Sequence, residues 1–203
     1  MKIRILIILM LLTVVIPAFG ITPEEVMHKT VSKLESASGI SAVVSVKGGM
    51  GDASATVLMD GNRSFMESPQ VGKQWFDGVN MWTLNPKTKE VTVSRPDPSE
   101  LLDANPLLYL KGYEGRYRLY FSKRKESGRY LVLLNPRGKS DVKAIEVAVN
   151  NKTFLPERII LRSQDDVRST VLISKLDLNR KFKAGEFNFP SDKYKDYEIV
   201  DLR

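Results

Sequence analysis

Residues Lys73 to Leu110 read KQWFDGVNMWTLNPKTKEVTVSRPDPSELLDANPLLYL, and the fold is decided here. Gln74–Asp77, Asn80–Asn85 and Glu90–Ser94 read as three strands. Asp77-Gly78 and Asn85-Pro86-Lys87-Thr88 supply the turns between them, because glycine tolerates the positive φ of a tight hairpin and asparagine and proline favour turns. Trp82 and Leu84 alternate with Met81 and Thr83, and Val91 and Val93 alternate with Glu90, Thr92 and Ser94, which is the period of half-buried strands. Pro96 and Pro98 stop the third strand, since neither can donate a ladder hydrogen bond. The period then changes: Ser99–Ala104 and Pro106–Leu110 predict two short helices carrying Leu101, Leu102, Leu107, Leu108 and Leu110. A leucine-rich helical insert leaving a sheet is either a core plug or a movable cover over something apolar.

Working outward, Thr22-Pro23-Glu24-Glu25 is a helix start, with Thr22 as cap, Pro23 at the first position and Glu25 closing a capping box. Val26, Met27, Thr30, Val31 and Leu34 form one stripe, and the helix should end near Ser38-Gly39. Nearly everything else predicts strands: Ile40–Lys47, Ala53–Asp60, Arg63–Glu67, Arg116–Ser122, Arg129–Leu134, Lys143–Val149, Arg158–Arg162 and Val167–Leu176. About eleven strands joined by short turns predict an antiparallel meander, packed as a sandwich or curled into a barrel. The N-terminal helix and the leucine insert are left to cover its apolar concavity.

The first 20 residues are expected to lie outside the fold. Lys2 and Arg4 precede the aliphatic run Ile5–Ile16, and Ala18-Phe19-Gly20 offers small residues at −3 and −1 of a cleavage site, the pattern of a secretory signal peptide. Residues 21–203 then form a single domain. The chain contains no cysteine, so disulfides, thiolate metal sites, cysteine nucleophiles and lipid attachment at cysteine are all excluded. Its formal charge is +7, and loss of Lys2 and Arg4 lowers that by two. The modest remaining excess favours anionic surfaces without requiring nucleic acid.

Catalytic chemistry finds no support. The only histidine, His28, reads as a solvated helix position rather than a metal ligand. No nucleophile motif accompanies it. Gly48-Gly49-Met50-Gly51 joins two strands, whereas a phosphate loop needs a following helix. Asp165-Asp166 reads as a hairpin tip. Lys123-Arg124-Lys125 is either a solvated strand end or a docking patch.

The segment Asp77-Gly78-Val79-Asn80-Met81-Trp82-Thr83-Leu84-Asn85-Pro86, then Glu90-Val91-Thr92-Val93, then Asn105-Pro106-Leu107-Leu108, and finally Phe187-Asn188-Phe189-Pro190 before a short last strand, resembles the periplasmic outer-membrane lipoprotein carrier family, LolA. The resemblance runs from Thr22 to Arg203. It implies a mainly β fold, an unclosed antiparallel β-barrel covered by the N-terminal helix and a short helical lid, which holds lipoprotein acyl chains between barrel and lid. It further implies a soluble periplasmic monomer without enzymatic activity, cofactor, metal or nucleic acid. Such a carrier takes cargo from an inner-membrane lipoprotein-releasing transporter and hands it to an outer-membrane acceptor. Carried over, the cavity wall would be Val44, Val46, Val57, Phe65, Trp82, Leu84, Val91 and Val93, and the lid would carry Leu101, Leu102, Leu107 and Leu108. Met59, Met66 and Met81 suit either an adaptable wall or a plain core. One departure from the family pattern concerns the arginine that latches the lid. Gly61-Asn62 stands in its place, and Arg63, two residues on, is either a substitute latch or a solvent-facing strand arginine. The alternative use of the same half-barrel is a non-enzymatic envelope regulatory or interaction module without lipid cargo.

Overall fold

The computed structural model describes residues 20–49, 51–97, 100–101, 110 and 112–203. Helix α1 spans Pro23–Glu35. Its capping box is formed: Thr22 N donates to a Glu25 carboxylate oxygen at 2.9 Å and Glu25 N donates to Thr22 Oγ1 at 3.1 Å. The five residues of the expected stripe are the five that α1 buries.

Twelve strands follow: β1 Ile40–Gly48, β2 Ala53–Asp60, β3 Arg63–Ser68, β4 Gly72–Phe76, β5 Met81–Asn85, β6 Glu90–Ser94, β7 Tyr117–Phe121, β8 Arg129–Pro136, β9 Val142–Asn150, β10 Pro156–Ser163, β11 Arg168–Asp177 and β12 Glu198–Asp201. A short helix, α2 (Tyr113–Arg116), leads into β7. Turn chemistry sets the hairpins. Asp77 Oδ1 accepts from Val79 N and Asn80 N, both at 2.8 Å, and Asn85 Oδ1 accepts from Lys87 N at 3.0 Å. Gly61, at φ 61°, supplies the left-handed residue of the two-residue loop between β2 and β3.

The strands form one unclosed sheet in the order β12-β6-β5-β4-β3-β2-β1-β11-β10-β9-β8-β7. The expected simple meander is therefore modified in three ways. Two meanders, β1–β6 and β7–β11, meet where β1 pairs with β11. β6 and β7, consecutive in the chain, stand at opposite ends of the sheet, β6 second from one edge and β7 at the other. And β12 returns to lie parallel to β6, because the C-terminal segment crosses the sheet before pairing.

Side chains alternate between the two faces, so register assigns every strand residue to one of them. α1 lies on the inner face, against β7 and β8. There Val26, Met27, Val31 and Leu34 share one buried cluster with Ile40, Ala42, Val44, Val57, Met59, Val132, Leu134, Ile145, Val147, Ile159 and Val171. Thr30 is buried among them, its hydroxyl donating to Val26 O at 2.9 Å.

A second cluster, Trp75, Leu84 and Val91 with Phe65, Trp82, Phe189, Tyr194 and Tyr197 around it, lies on the outer face of β3–β6. Its roof is residues 178–197, a strap running from the end of β11 across this face to β12. The strap starts at Gly39, which pairs with Asn179 and accepts a hydrogen bond from Arg180 N at 3.1 Å. A Cβ at Gly39 would stand 2.3 Å from Arg180 O and 2.5 Å from the Phe182 ring, so only glycine admits so close a crossing.

Candidate functional site

The inner face is built by alternate residues of successive strands. Cross-strand pairing carries it from Ala42 to Val57, Met66, Gln74, Thr83 and Thr92, and in the next row from Ile40 to Met59, Ser64, Phe76, Met81 and Ser94. Two regions result. Over β7–β11 and β1 the face is aliphatic and filled by α1: Val26, Met27, Val132, Ile145, Val147 and Ile159 have no exposed surface. Over β3–β6 it is mixed. Met66 and Phe76 are half-buried, Met81 is buried, and Gln74 and Thr83 stand between them, Gln74 Nε2 donating to Thr83 Oγ1 at 3.3 Å.

The β6–β7 connection is tied down at both ends. Asp97 opens a helix: Glu100 N donates to Asp97 Oδ1, Asp97 N donates to a Glu100 carboxylate oxygen, both at 2.9 Å, and Leu101 N reaches Asp97 O at 3.2 Å. At the far end Leu110 and Tyr113 are buried in the α1 cluster. Burial, with Glu114 beside it, pushes the Tyr113 phenol up to about 12.

The structure divides the expected cavity wall between two faces. Val44, Val46 and Val57 lie on the inner face with α1. Phe65, Trp82, Leu84, Val91 and Val93 lie on the opposite one, because Phe65 pairs with Trp75, Trp75 with Trp82, and Trp82 with Val93. The cause is that β4 and β5 carry apolar residues on both faces and β6 only on the outer one, and the more apolar face is the one the strap covers. Six aromatic residues meet there, Phe65, Trp75, Trp82, Phe189, Tyr194 and Tyr197. Trp75 lies 5.3 Å from Phe65, 5.4 Å from Phe189 and 6.0 Å from Tyr194, centroid to centroid, and Phe189 stacks on Tyr194 at 5.6 Å.

Arg63 also belongs to the outer face. Its guanidinium pairs with Asp60 and lies 5.1 Å from the centre of the Phe187 ring in the strap. Leu101 is half-buried on its helix, while Leu102, Leu107 and Leu108 fall outside the described residues. The methionines Met59, Met66 and Met81 are on the inner face, and Phe76 and Tyr113, which no sequence pattern singled out, join them. Counting pairs across the short loops from β1 would have found Phe76, since loop length and turn type fix the register of the next strand.

Two grooves flank this arrangement. One, of about 450 Å³, lies on the outer side and includes Val43, Thr56, Glu67, Lys73 and Leu84. Lys73 Nζ sits 2.9 Å from Glu67, and that hydrogen bond holds the ammonium pKa above its ordinary value. The other, of about 360 Å³, lies between α1 and β7. His28 is an exposed residue of its lining. Among the described residues no three histidine, aspartate or glutamate side chains gather as a metal site, and no helix is long and apolar enough to cross a membrane.

The family model described as outer membrane lipoprotein carrier protein LolA matches residues 20–165. A search of curated protein sequences returned no match. Among solved structures, an uncharacterized conserved protein from Thermus thermophilus aligns over 88% of this chain and 98% of its own, at 14% identity and a TM-score of 0.59. A DUF1329 family protein from Desulfovibrio piger aligns over 85% and 99%, at 12% identity and a TM-score of 0.50. A LolA superfamily protein from Nitrosomonas europaea aligns over 84% and 99%, at 14% identity and a TM-score of 0.42. At such identities the likeness to the first two is one of fold.

Proposed function

Because the chain belongs to the family of the outer membrane lipoprotein carrier protein LolA, we propose that it is a periplasmic carrier. In this reading it binds lipoprotein acyl chains against its inner face and moves them from the inner to the outer membrane. The observation that carries the reading is topological. The chain leaves the sheet at β6, re-enters it at β7 at the far end, and buries Leu110 and Tyr113 in the inner-face cluster just before it does. A connection between two such ends is long enough to cover a ligand lying on β2–β6.

The physics asks for such a cover. Each acyl methylene removed from water is worth about 0.8 kcal/mol, so a lipoprotein does not cross an aqueous compartment unshielded. Transfer from bilayer to protein is nearly neutral, since both are apolar, and a loose, adaptable wall favours release. Met59, Met66, Met81 and Phe76, with Val46 and Val57, provide that wall, methionine being the residue that best fills irregular space. Phe65, Trp82, Leu84, Val91 and Val93 then have another duty: they hold the strap. The mature chain would be a soluble monomer of residues 21–203 that receives cargo from an inner-membrane transporter. Binding of this kind needs no catalytic group.

A second reading, a permanently packed interaction module, is favoured by one observation. α1 already fills the aliphatic part of the inner face, and the remainder includes Gln74 and Thr83. Organic extracts of the protein purified from a native periplasm separate the two. A carrier yields diacylglyceryl or triacylated material by mass spectrometry, and Met66→Glu loses it while remaining folded. A module yields none from either protein.

A further inference from the structure

The sheet has two edges, and β7 is one of them. Its hydrogen bonds to β8 alternate. Arg137 N donates to Arg116 O and Ser122 N donates to Leu131 O, both at 2.8 Å, so even-numbered residues face β8. Odd-numbered residues face away. Tyr117 is provided for, its N–H bonded to Tyr113 O and its carbonyl accepting from Arg137 Nε at 3.0 Å. Leu119 and Phe121 are not: no described residue takes their N–H or C=O groups. An open strand edge of this kind is a template for another strand.

The edge has chemically distinct sides. On the inner side the 360 Å³ groove between α1 and β7 includes Tyr113, Tyr117 and Leu119, with Glu24, Lys29, Glu114 and Arg137 exposed around them. On the outer side Arg118 and Tyr120 are exposed, and Lys123 and Lys125 follow in the β7–β8 loop. Among the described residues no carboxylate forms an ion pair with Arg118, Lys123 or Lys125. A second copy of this edge is a poor occupant, because antiparallel self-pairing would lay the unpaired cations Arg118, Lys123 and Lys125 of one chain alongside those of the other, and neighbouring like charges are unfavourable.

We propose that the β7 edge binds an extended segment of a partner protein by strand addition. The segment carries acidic side chains toward Arg118 and Lys123 and apolar side chains into the Tyr113–Tyr117–Leu119 groove. The backbone of Leu119 and Phe121 supplies hydrogen bonds, and the alternate side chains supply the selection, as in other strand-addition complexes. The site is separate from the inner face of β2–β6, so it stands whether or not that face holds acyl chains.

The test uses a seven-residue peptide alternating glutamate and valine, and its lysine–valine counterpart, with amide exchange and chemical shifts followed by NMR on the full mature chain. The glutamate peptide should protect the Leu119 and Phe121 amides and bind at least tenfold tighter than the lysine peptide. Arg118→Glu should weaken it about tenfold. Leu119→Pro should abolish binding, because it removes an outward N–H and no β8 bond; if that variant does not fold, Arg118→Glu and the exchange pattern decide alone. Equal binding of the two peptides overturns the proposal. So does protection confined to Ile199 and Asp201 on β12, or protection of β7 that appears only with rising protein concentration and without peptide.

Discussion

The Trp82 indole lies parallel to the Phe189 ring, centroids 6.3 Å apart and planes 7° from parallel. Trp82 sits on β5 and Phe189 in the strap, so this contact joins the last part of the chain to its first meander. It also fixes what the two tryptophans can report. Both face the strap, on the side away from α1.

Phe189→Ala should therefore loosen the strap. A buried phenylalanine cut to alanine costs about 3–5 kcal/mol, and Phe189 is half-buried, so a loss of roughly 1–3 kcal/mol is expected. Tryptophan emission should shift to the red as Trp75 and Trp82 meet water. Unchanged emission and unchanged thermal unfolding would mean the strap does not depend on this ring.

Gly39→Ala should act on the same element from its other end. The added methyl meets Arg180 O and the Phe182 ring, and the backbone oxygen cannot yield as a flexible side chain would. The strap start must shift, and amide exchange at Arg180 should rise by an order of magnitude or more. Retention of wild-type protection there would refute the close crossing.

Acyl ligand bound on the inner face should leave Trp75 and Trp82 emission nearly unchanged, because the sheet stands between. A tryptophan introduced by Phe76→Trp, one residue along β4 from Trp75 and on the opposite face, should respond. In a Trp75→Phe, Trp82→Phe background, brominated acyl chain should quench this probe. Quenching of the native pair instead would move the ligand to the outer face.

The outer face of β8–β10 carries ion pairs whose pH dependence has a definite sign. Arg158, hydrogen-bonded to Glu126 at 2.6 Å, holds that carboxyl below its ordinary 4.5. Asn150 at 2.8 Å, and then Arg129 at 2.5 Å, do the same for Glu157. A carboxyl depressed in the folded state contributes stability that is fully present above its unfolded pKa and is lost as pH falls through its folded one. Arg158→Met should accordingly lower the thermal midpoint at pH 7, and the gap from wild type should shrink as pH drops below about 4.5. A gap independent of pH would deny the pair its role.

Much of this was legible in the sequence. The α1 cap and stripe, the turns at Asp77-Gly78 and Asn85-Pro86, and the alternation of Val91 and Val93 all depend on neighbours within a few residues, and all appear in the structure. What failed was the choice of face. Trp82 and Leu84 form the more apolar side of β5, and composition alone points that side toward the core beneath α1. The structure turns it to the strap, because Phe189 and Tyr194, more than a hundred residues later, provide an apolar roof there. Alternation tells which residues share a face, but it does not tell which face the distant chain will cover.

The pairing of β1 with β11, sealed by Ser174 Oγ donating to Val43 O at 3.1 Å across 131 positions, has a consequence for how the molecule is made. β1 forms early in synthesis and waits for its partner, and β6 waits longer still for β12. The two meanders can join only once β11 is made, and β6 gains its outer neighbour only when the last residues are free. A ribosome or translocation channel holding the C-terminal segment would leave β6 bare along one side, and one holding β11 as well would keep the two meanders apart. Folding should thus be a late, slow and single event, as sheets dominated by distant pairings are, and the chain stays threadable until its final strand is released.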